Sequence, residues 1–153
     1  MPQRRICRYG IEKRTRSSAR FPVGRPPEVP ESLREVRDRG WRTAVLSNTD
    51  PELLDASISL IGVPFDIRIT VAEAGGYKPG RGHWDAFFES TGAAAATHVH
   101  VAASIYHDIE PAAALGLRSI WINRRSETSD VRRSGELPDL GGLAGALDGL
   151  VTA

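Results

Sequence analysis

The chain has 153 residues, 41% hydrophobic and 25% charged, which suffices for one globular domain with a buried core. Its formal charge of +1 conceals an asymmetry, because residues 1 to 25 hold eight Lys or Arg against one Glu, while residues 26 to 153 hold 12 basic against 18 acidic side chains. A single cysteine, Cys7, excludes an intrachain disulfide and a Cys-based zinc site, no apolar run nears the ~18 residues of a membrane span, and the N-terminus has no apolar signal region. A soluble, cytoplasmic protein without a membrane partner is the expectation.

Residues 1 to 25 show no sustained period of 2 or 3.6, so they read as a basic, disordered arm, and residues 26 to 153 as the domain. Ile6, Tyr9 and Ile11 make too poor an amphipathic face for an organelle transit peptide. Four prolines between Phe21 and Pro30 suit an extended connector. Val29, Leu33 and Val36 then form the stripe of a surface helix that runs to Arg39 and ends at Gly40. Thr43 to Leu46 reads as a buried strand emptying into the polar turn Ser47-Asn-Thr-Asp50, with Asp50 as the cap of the next helix, Pro51 at its first position and Gly62 beyond its end.

The alternation repeats. A strand over Phe65 to Val71 leads into a Gly-rich loop through Lys78 and a helix over Gly82 to Thr91 presenting Trp84, Phe87 and Phe88. A strand over Val99 to Ala103, a helix over Asp108 to Leu115 closed by Gly116, and a strand over Arg118 to Asn123 follow. After a charged loop, Asp139 caps a last helix whose Leu140, Leu143, Leu147 and Leu150 face one way. Strands separated by helices imply right-handed crossovers and an α/β fold, a doubly wound parallel sheet, with the ligand crevice outside the carboxyl ends of its strands. Ser47, Asn48, Lys78 and the run Ser104 to Asp108 all fall at that edge.

Thr43-Ala-Val-Leu-Ser-Asn-Thr-Asp50 resembles the second motif of the haloacid dehalogenase superfamily, Glu73-Ala-Gly-Gly-Tyr-Lys-Pro79 its third, and His100-Val-Ala-Ala-Ser-Ile-Tyr-His-Asp-Ile109 its fourth, over about residues 28 to 153. The resemblance implies a Rossmann-like core nearest the 2-haloacid dehalogenase branch. It also implies Ser47, Asn48 and Ser104 as substrate-binding groups, Lys78 and Asp108 as catalytic ones, a small-molecule substrate, and hydrolysis through an aspartyl ester. Two departures stand out. Ala102-Ala103 replaces the Gly-Asp of the metal-dependent phosphatases, so no cofactor is expected, Mg²⁺ entering only under a phosphatase-like reading. The first motif, with its nucleophilic Asp, and the helical cap after it are missing, since no Asp precedes Asp38 and Asp38 falls in a charged helix.

The expectation is therefore an N-terminally truncated and inactive core, in which the strands after Thr43 and His98 pair directly across the vacated central position, with marginal stability. Borrowing of Arg5 to Tyr9 as a poor substitute strand, and a gap whose unpaired backbone favours aggregation, are the alternatives, and the abrupt change at about Phe21 suggests a misread or frameshifted start. In isolation Ser47 and Asp108 read as helix caps and Lys78 as a loop lysine; their shared register favours a site. His98 and His100 share a strand face, but without a third ligand in view and near the strand start they read as lying away from the active edge. His107, beside Asp108, is a candidate for a modest role facing solvent or substrate, and Trp41, Trp84 and Trp121 are packing residues. A reading from another class makes the core a scaffold whose basic arm binds nucleic acid or another polyanion, although no nucleic-acid motif is evident.

Overall fold

The protein, seen in a computed structural model that describes residues 6–11 and 26–151, is built on one six-stranded sheet. Its elements are β1 (Ile6–Ile11), α1 (Glu28–Asp38), β2 (Arg42–Ser47), α2 (Pro51–Ile61), β3 (Ile67–Ile69), α3 (Val71–Ala74), α4 (Gly82–Thr91), β4 (His98–Ala102), α5 (Glu110–Ala114), β5 (Arg118–Ile122), β6 (Gly135–Leu137) and α6 (Leu143–Val151). The strand order is β3-β2-β1-β4-β5-β6 and every pairing is parallel. This is the doubly wound α/β architecture that the alternation implies.

The period-2 pattern of the strands sorts their side chains between two faces. Val99 and Val101 of β4 pack with Val29, Leu33 and Val36 of α1 and with Leu143 and Leu147 of α6. On the other face, Ala44 and Leu46 of β2 meet Trp84 and Phe87 of α4 and Ala112 of α5. The expected α1 stripe is buried, and Trp41, Trp84 and Trp121 are all in the core. Gly40, Gly62, Gly92 and Gly116 all adopt positive φ at helix ends, where a residue lacking Cβ carries no strain.

The centre of the sheet departs from expectation. β2 and β4 do not pair directly: β1 lies between them, with Cys7 opposite Thr43 and Val99, and Ile11 opposite Ser47. The physical reason is that a parallel ladder is made by backbone N–H and C=O groups. Ile6–Ile11 brings its own N–H and C=O groups, each costing about 1–3 kcal/mol if buried unpaired, and inserted as the substitute strand of the alternative reading it completes a ladder with β2 and another with β4. Six residues of the expected basic arm thus form the central strand, and residues 1–5 and 12–25 lie outside the described residues.

Smaller corrections follow from local chemistry. β3 stops at Ile69 because Thr70 caps α3: its hydroxyl oxygen accepts from the Ala72 amide at 3.2 Å, and Glu73 reaches back to the Thr70 amide at 2.7 Å. The helix after β4 starts early, as a π-turn over Ile105–Ile109 that runs into α5. Gly135–Leu137, expected as part of a charged loop, forms the edge strand β6. Asp50 occupies the cap position of α2, but its side chain makes no capping hydrogen bond.

A proline inside a central strand, which is paired on both sides, removes a ladder bond and has no edge to relax into. Arg8→Pro, in β1 between Ala44 and His100, is expected to lower the unfolding free energy by about 3 kcal/mol or more. Urea denaturation measures this, and an unchanged midpoint would place Ile6–Ile11 outside the sheet.

Candidate active site

The carboxyl ends of β2 and β4 and the loop before α4 converge on one buried ion pair. Lys78 Nζ donates to Asp108 Oδ1 at 2.7 Å and to the Leu46 carbonyl at 3.2 Å, and both charged side chains are sealed from solvent. Asp108 also accepts from His100, whose Nε2 lies 3.0 Å from the same Oδ1. Burial alone pushes the Asp108 carboxyl up. The Lys78 charge and the His100 hydrogen bond outweigh it and bring the group to about 2.

Local sequence explains how Lys78 gets there. Asn48 clamps the lysine's backbone from both sides, its Oδ1 accepting from the Lys78 amide at 2.7 Å and its Nδ2 donating to the Lys78 carbonyl at 3.1 Å. Downstream the loop is pinched shut. A Cβ at Gly80 would stand 2.9 Å from the Tyr77 carbonyl oxygen, and one at Gly82 would collide with the Ala74 backbone carbonyl. Glycine is required at residue 82 because the chain must pass that carbonyl at backbone contact.

Ser47 ends β2, fully buried, with its Oγ 2.7 Å from Thr49 Oγ1. Its carbonyl is met by His83 Nε2 of α4 at 2.8 Å. A carbonyl only accepts, so Nε2 carries the proton; burial holds the His83 pKa below its ordinary value, and the ring is neutral. Ser104, half-buried at the end of β4, accepts from the His107 amide at 3.1 Å and lies 3.1 Å from His107 Nδ1, capping the π-turn that delivers Asp108.

The structure therefore brings together Ser47, Asn48, Lys78 and Asp108, with Ser104 on the turn beside them. It assigns Asn48 an additional task, since both polar atoms of its amide are engaged by the Lys78 backbone. Nothing in the sequence pattern singles out His83, and the expectation sets His100 away from the active edge. Both touch the site from beneath. The signal available for His100 is its strand face, which it shares with His98 and which packs on the aromatic face of α4.

The donor set does not fit Mg²⁺. Ala103 presents a methyl group where the family's phosphatases place a carboxylate, and Asp108 Oδ1 already takes two donors. Among the described residues no cluster of three or more His, Cys, Asp or Glu side chains is arranged to hold a metal ion. A pocket of about 330 Å³ lined by Arg37, Gly40, Trp41, Arg42 and Asp66 lies by the start of β2, away from these groups. Among the described residues no helix is long and apolar enough to cross a membrane.

A parallel doubly wound sheet with a buried lysine–aspartate pair at its carboxyl edge makes a Rossmann-like core. No family model matches the chain. It is 31% identical over 141 residues to the (S)-2-haloacid dehalogenase of Pseudomonas sp. (strain YL), covering 87% of this chain and 60% of that protein. It is 33% identical over 115 residues to haloacetate dehalogenase H-2 of Moraxella sp. (strain B), covering 74% and 50% respectively. Among solved structures, the L-2-haloacid dehalogenase RSc1362 superposes with a TM-score of 0.70 at 25% identity, over 83% of this chain and 56% of that one. The chain resembles the haloacid-dehalogenase-like superfamily, nearest its dehalogenase branch, and spans between half and three-fifths of the length of these curated relatives.

Because the folded Asp108 carboxyl lies below its ordinary 3.8, the pair contributes stability that is present above about pH 4 and is lost as pH falls toward 2. Asp108→Asn strands the Lys78 ammonium in the interior and is expected to cost about 3–5 kcal/mol at neutral pH. The variant should also lose less stability than the parent between pH 4 and pH 2. Urea titrations across that range test both statements, and parallel acid profiles for the two proteins would contradict them.

Proposed function

We propose that this crevice is the supporting half of a hydrolytic site of the haloacid dehalogenase type for a small-molecule substrate. In such chemistry an aspartate carboxylate attacks a substrate carbon and expels halide, or attacks phosphorus and expels an alcohol. Water then cleaves the resulting ester and restores the carboxylate. The observation that carries the reading is the sealed Lys78–Asp108 pair beside the Leu46 carbonyl, one residue from Ser47. A fixed cation there stabilises the negative charge of an attacking carboxylate, and the Ser47 turn offers polar groups to a substrate anion.

We further propose that these 153 residues do not complete the reaction. No Asp precedes Asp38, and Asp38 is an exposed residue at the last position of α1, before the start of β2. Removing the nucleophile from a catalytic unit typically costs about 10⁴ to 10⁶ in rate. The dehalogenase-like reading is favoured over the phosphatase-like one by Ala103, which supplies no oxygen to a metal. A polyanion-binding arm is not favoured, because Ile6–Ile11, the described part of residues 1–25, is the central strand of the sheet.

The test uses the purified chain with 2-chloropropionate and with p-nitrophenyl phosphate, each with and without Mg²⁺. No halide or phosphate release above the blank is expected. Saturating 2-chloropropionate should nonetheless shift the backbone amide signals of Ser47 and Asn48, and Ser47→Ala should weaken that binding. Turnover that disappears in Lys78→Ala would overturn the proposed inactivity, and absence of any shift at Ser47 and Asn48 would overturn the assignment of the crevice.

A further inference from the structure

The Lys78–Asp108 pair has a third member, His100, to which the family resemblance assigns no role. His100 is fully buried in the middle of β4, with Nε2 3.0 Å from Asp108 Oδ1, the same oxygen that Lys78 reaches at 2.7 Å. A carboxylate held by one ammonium is free to rotate about that single contact, whereas two donors arriving at one oxygen from different elements fix its plane. The imidazole is itself fixed. Trp84, fully buried in the first turn of α4, lies against it with ring centroids 5.4 Å apart and planes at 53°.

α4 begins at Gly82, four residues beyond Lys78. The contacts therefore close a circuit in which the Lys78 loop leads into α4, α4 braces His100 through Trp84, His100 holds Asp108, and Asp108 holds Lys78. Ser119 of β5 is the register partner of His100 on that face and is likewise buried. A histidine in this place is more than filler, because phenylalanine would pack against Trp84 equally well but could offer Asp108 no proton.

We propose that His100 is a positioning residue whose Nε2–H fixes the Asp108 carboxylate in the orientation that receives Lys78. The inference rests on reading Lys78 and Asp108 as the charged pair of the crevice, but it does not depend on turnover. Its failure is therefore visible separately from that of the proposed function. A carboxylate oxygen only accepts, so His100 is a donor at Nε2 and not merely a neighbour.

The experiment is heteronuclear NMR on the full chain, comparing the parent with His100→Phe and His100→Gln. In the parent, the ring ¹⁵N shifts of His100 at neutral pH should show a protonated Nε2. In His100→Phe, the acid titration of the Asp108 carboxyl ¹³C signal should move upward by about tenfold in proton affinity. His100→Gln, which keeps a donor, should stay within about twofold of the parent. A folded His100→Phe protein with an unmoved Asp108 titration would overturn the proposal. If His100→Phe does not fold, a parent ring lacking the Nε2 proton, or a His100→Gln protein whose Asp108 titrates more than tenfold away from the parent, overturns it instead.

Discussion

Placing an ammonium and a carboxylate together out of reach of water costs several kcal/mol per ion, so neither is tolerated in the interior unless its partners are fixed. Lys78 and Asp108 meet that condition through three elements that are far apart in sequence: the end of β2, the loop before α4 and the turn after β4. Much of the rest of the edge can be understood as what this requirement imposes. Asn48 spends its amide on the Lys78 backbone, Gly82 lets the loop double back against Ala74, and Ser104 caps the turn that delivers Asp108.

The sheet supplies the geometry within which those elements can meet. β2 and β4 are not neighbours, so the span between Leu46 and Asp108 includes the width of β1. With adjacent strands roughly 4.8 Å apart, direct pairing of β2 and β4 would move their ends closer by one strand spacing and displace Asp108 relative to Lys78. The central strand is thus a spacer for the charged pair as well as a source of ladder hydrogen bonds, and that part of its contribution comes from its backbone.

The same division between side-chain pattern and backbone geometry explains which parts of the molecule are legible in the sequence. β2, β4 and β5 are apolar runs bounded by polar turns, and their end residues Ser47 and Ser104 follow from the pattern. Lys78 and Asp108 are identifiable because their motifs combine a rare residue order with a position at a strand end. β1 is not legible, because a buried parallel strand normally reads as a continuous apolar run, and Ile-Cys-Arg-Tyr-Gly-Ile interrupts that run with Arg8 and Gly10. β6 is three residues with Glu136 at its centre, a length and composition that also describe a loop. His100 escapes the pattern for a different reason: the period-2 rule gives its face correctly but says nothing about how far a π-turn folds Asp108 back over the strand.

Residue 103 connects this charge balance to the chemistry. In a site that holds a divalent cation, several carboxylates share its charge and a lysine is one cation among two. Here Ala103 removes an acid from the edge of β4, and the remaining carboxylate, Asp108, is balanced by Lys78 and steadied by His100 at a single oxygen. For a metal ion to take Asp108 it would have to displace the lysine from that oxygen, leaving an ammonium in the interior with only the Leu46 carbonyl as its partner. An uncompensated buried charge is the costlier state. The loss of the acid at residue 103 and the presence of a proton donor at residue 100 therefore act in the same direction, toward a crevice whose fixed positive charge comes from the protein's own lysine.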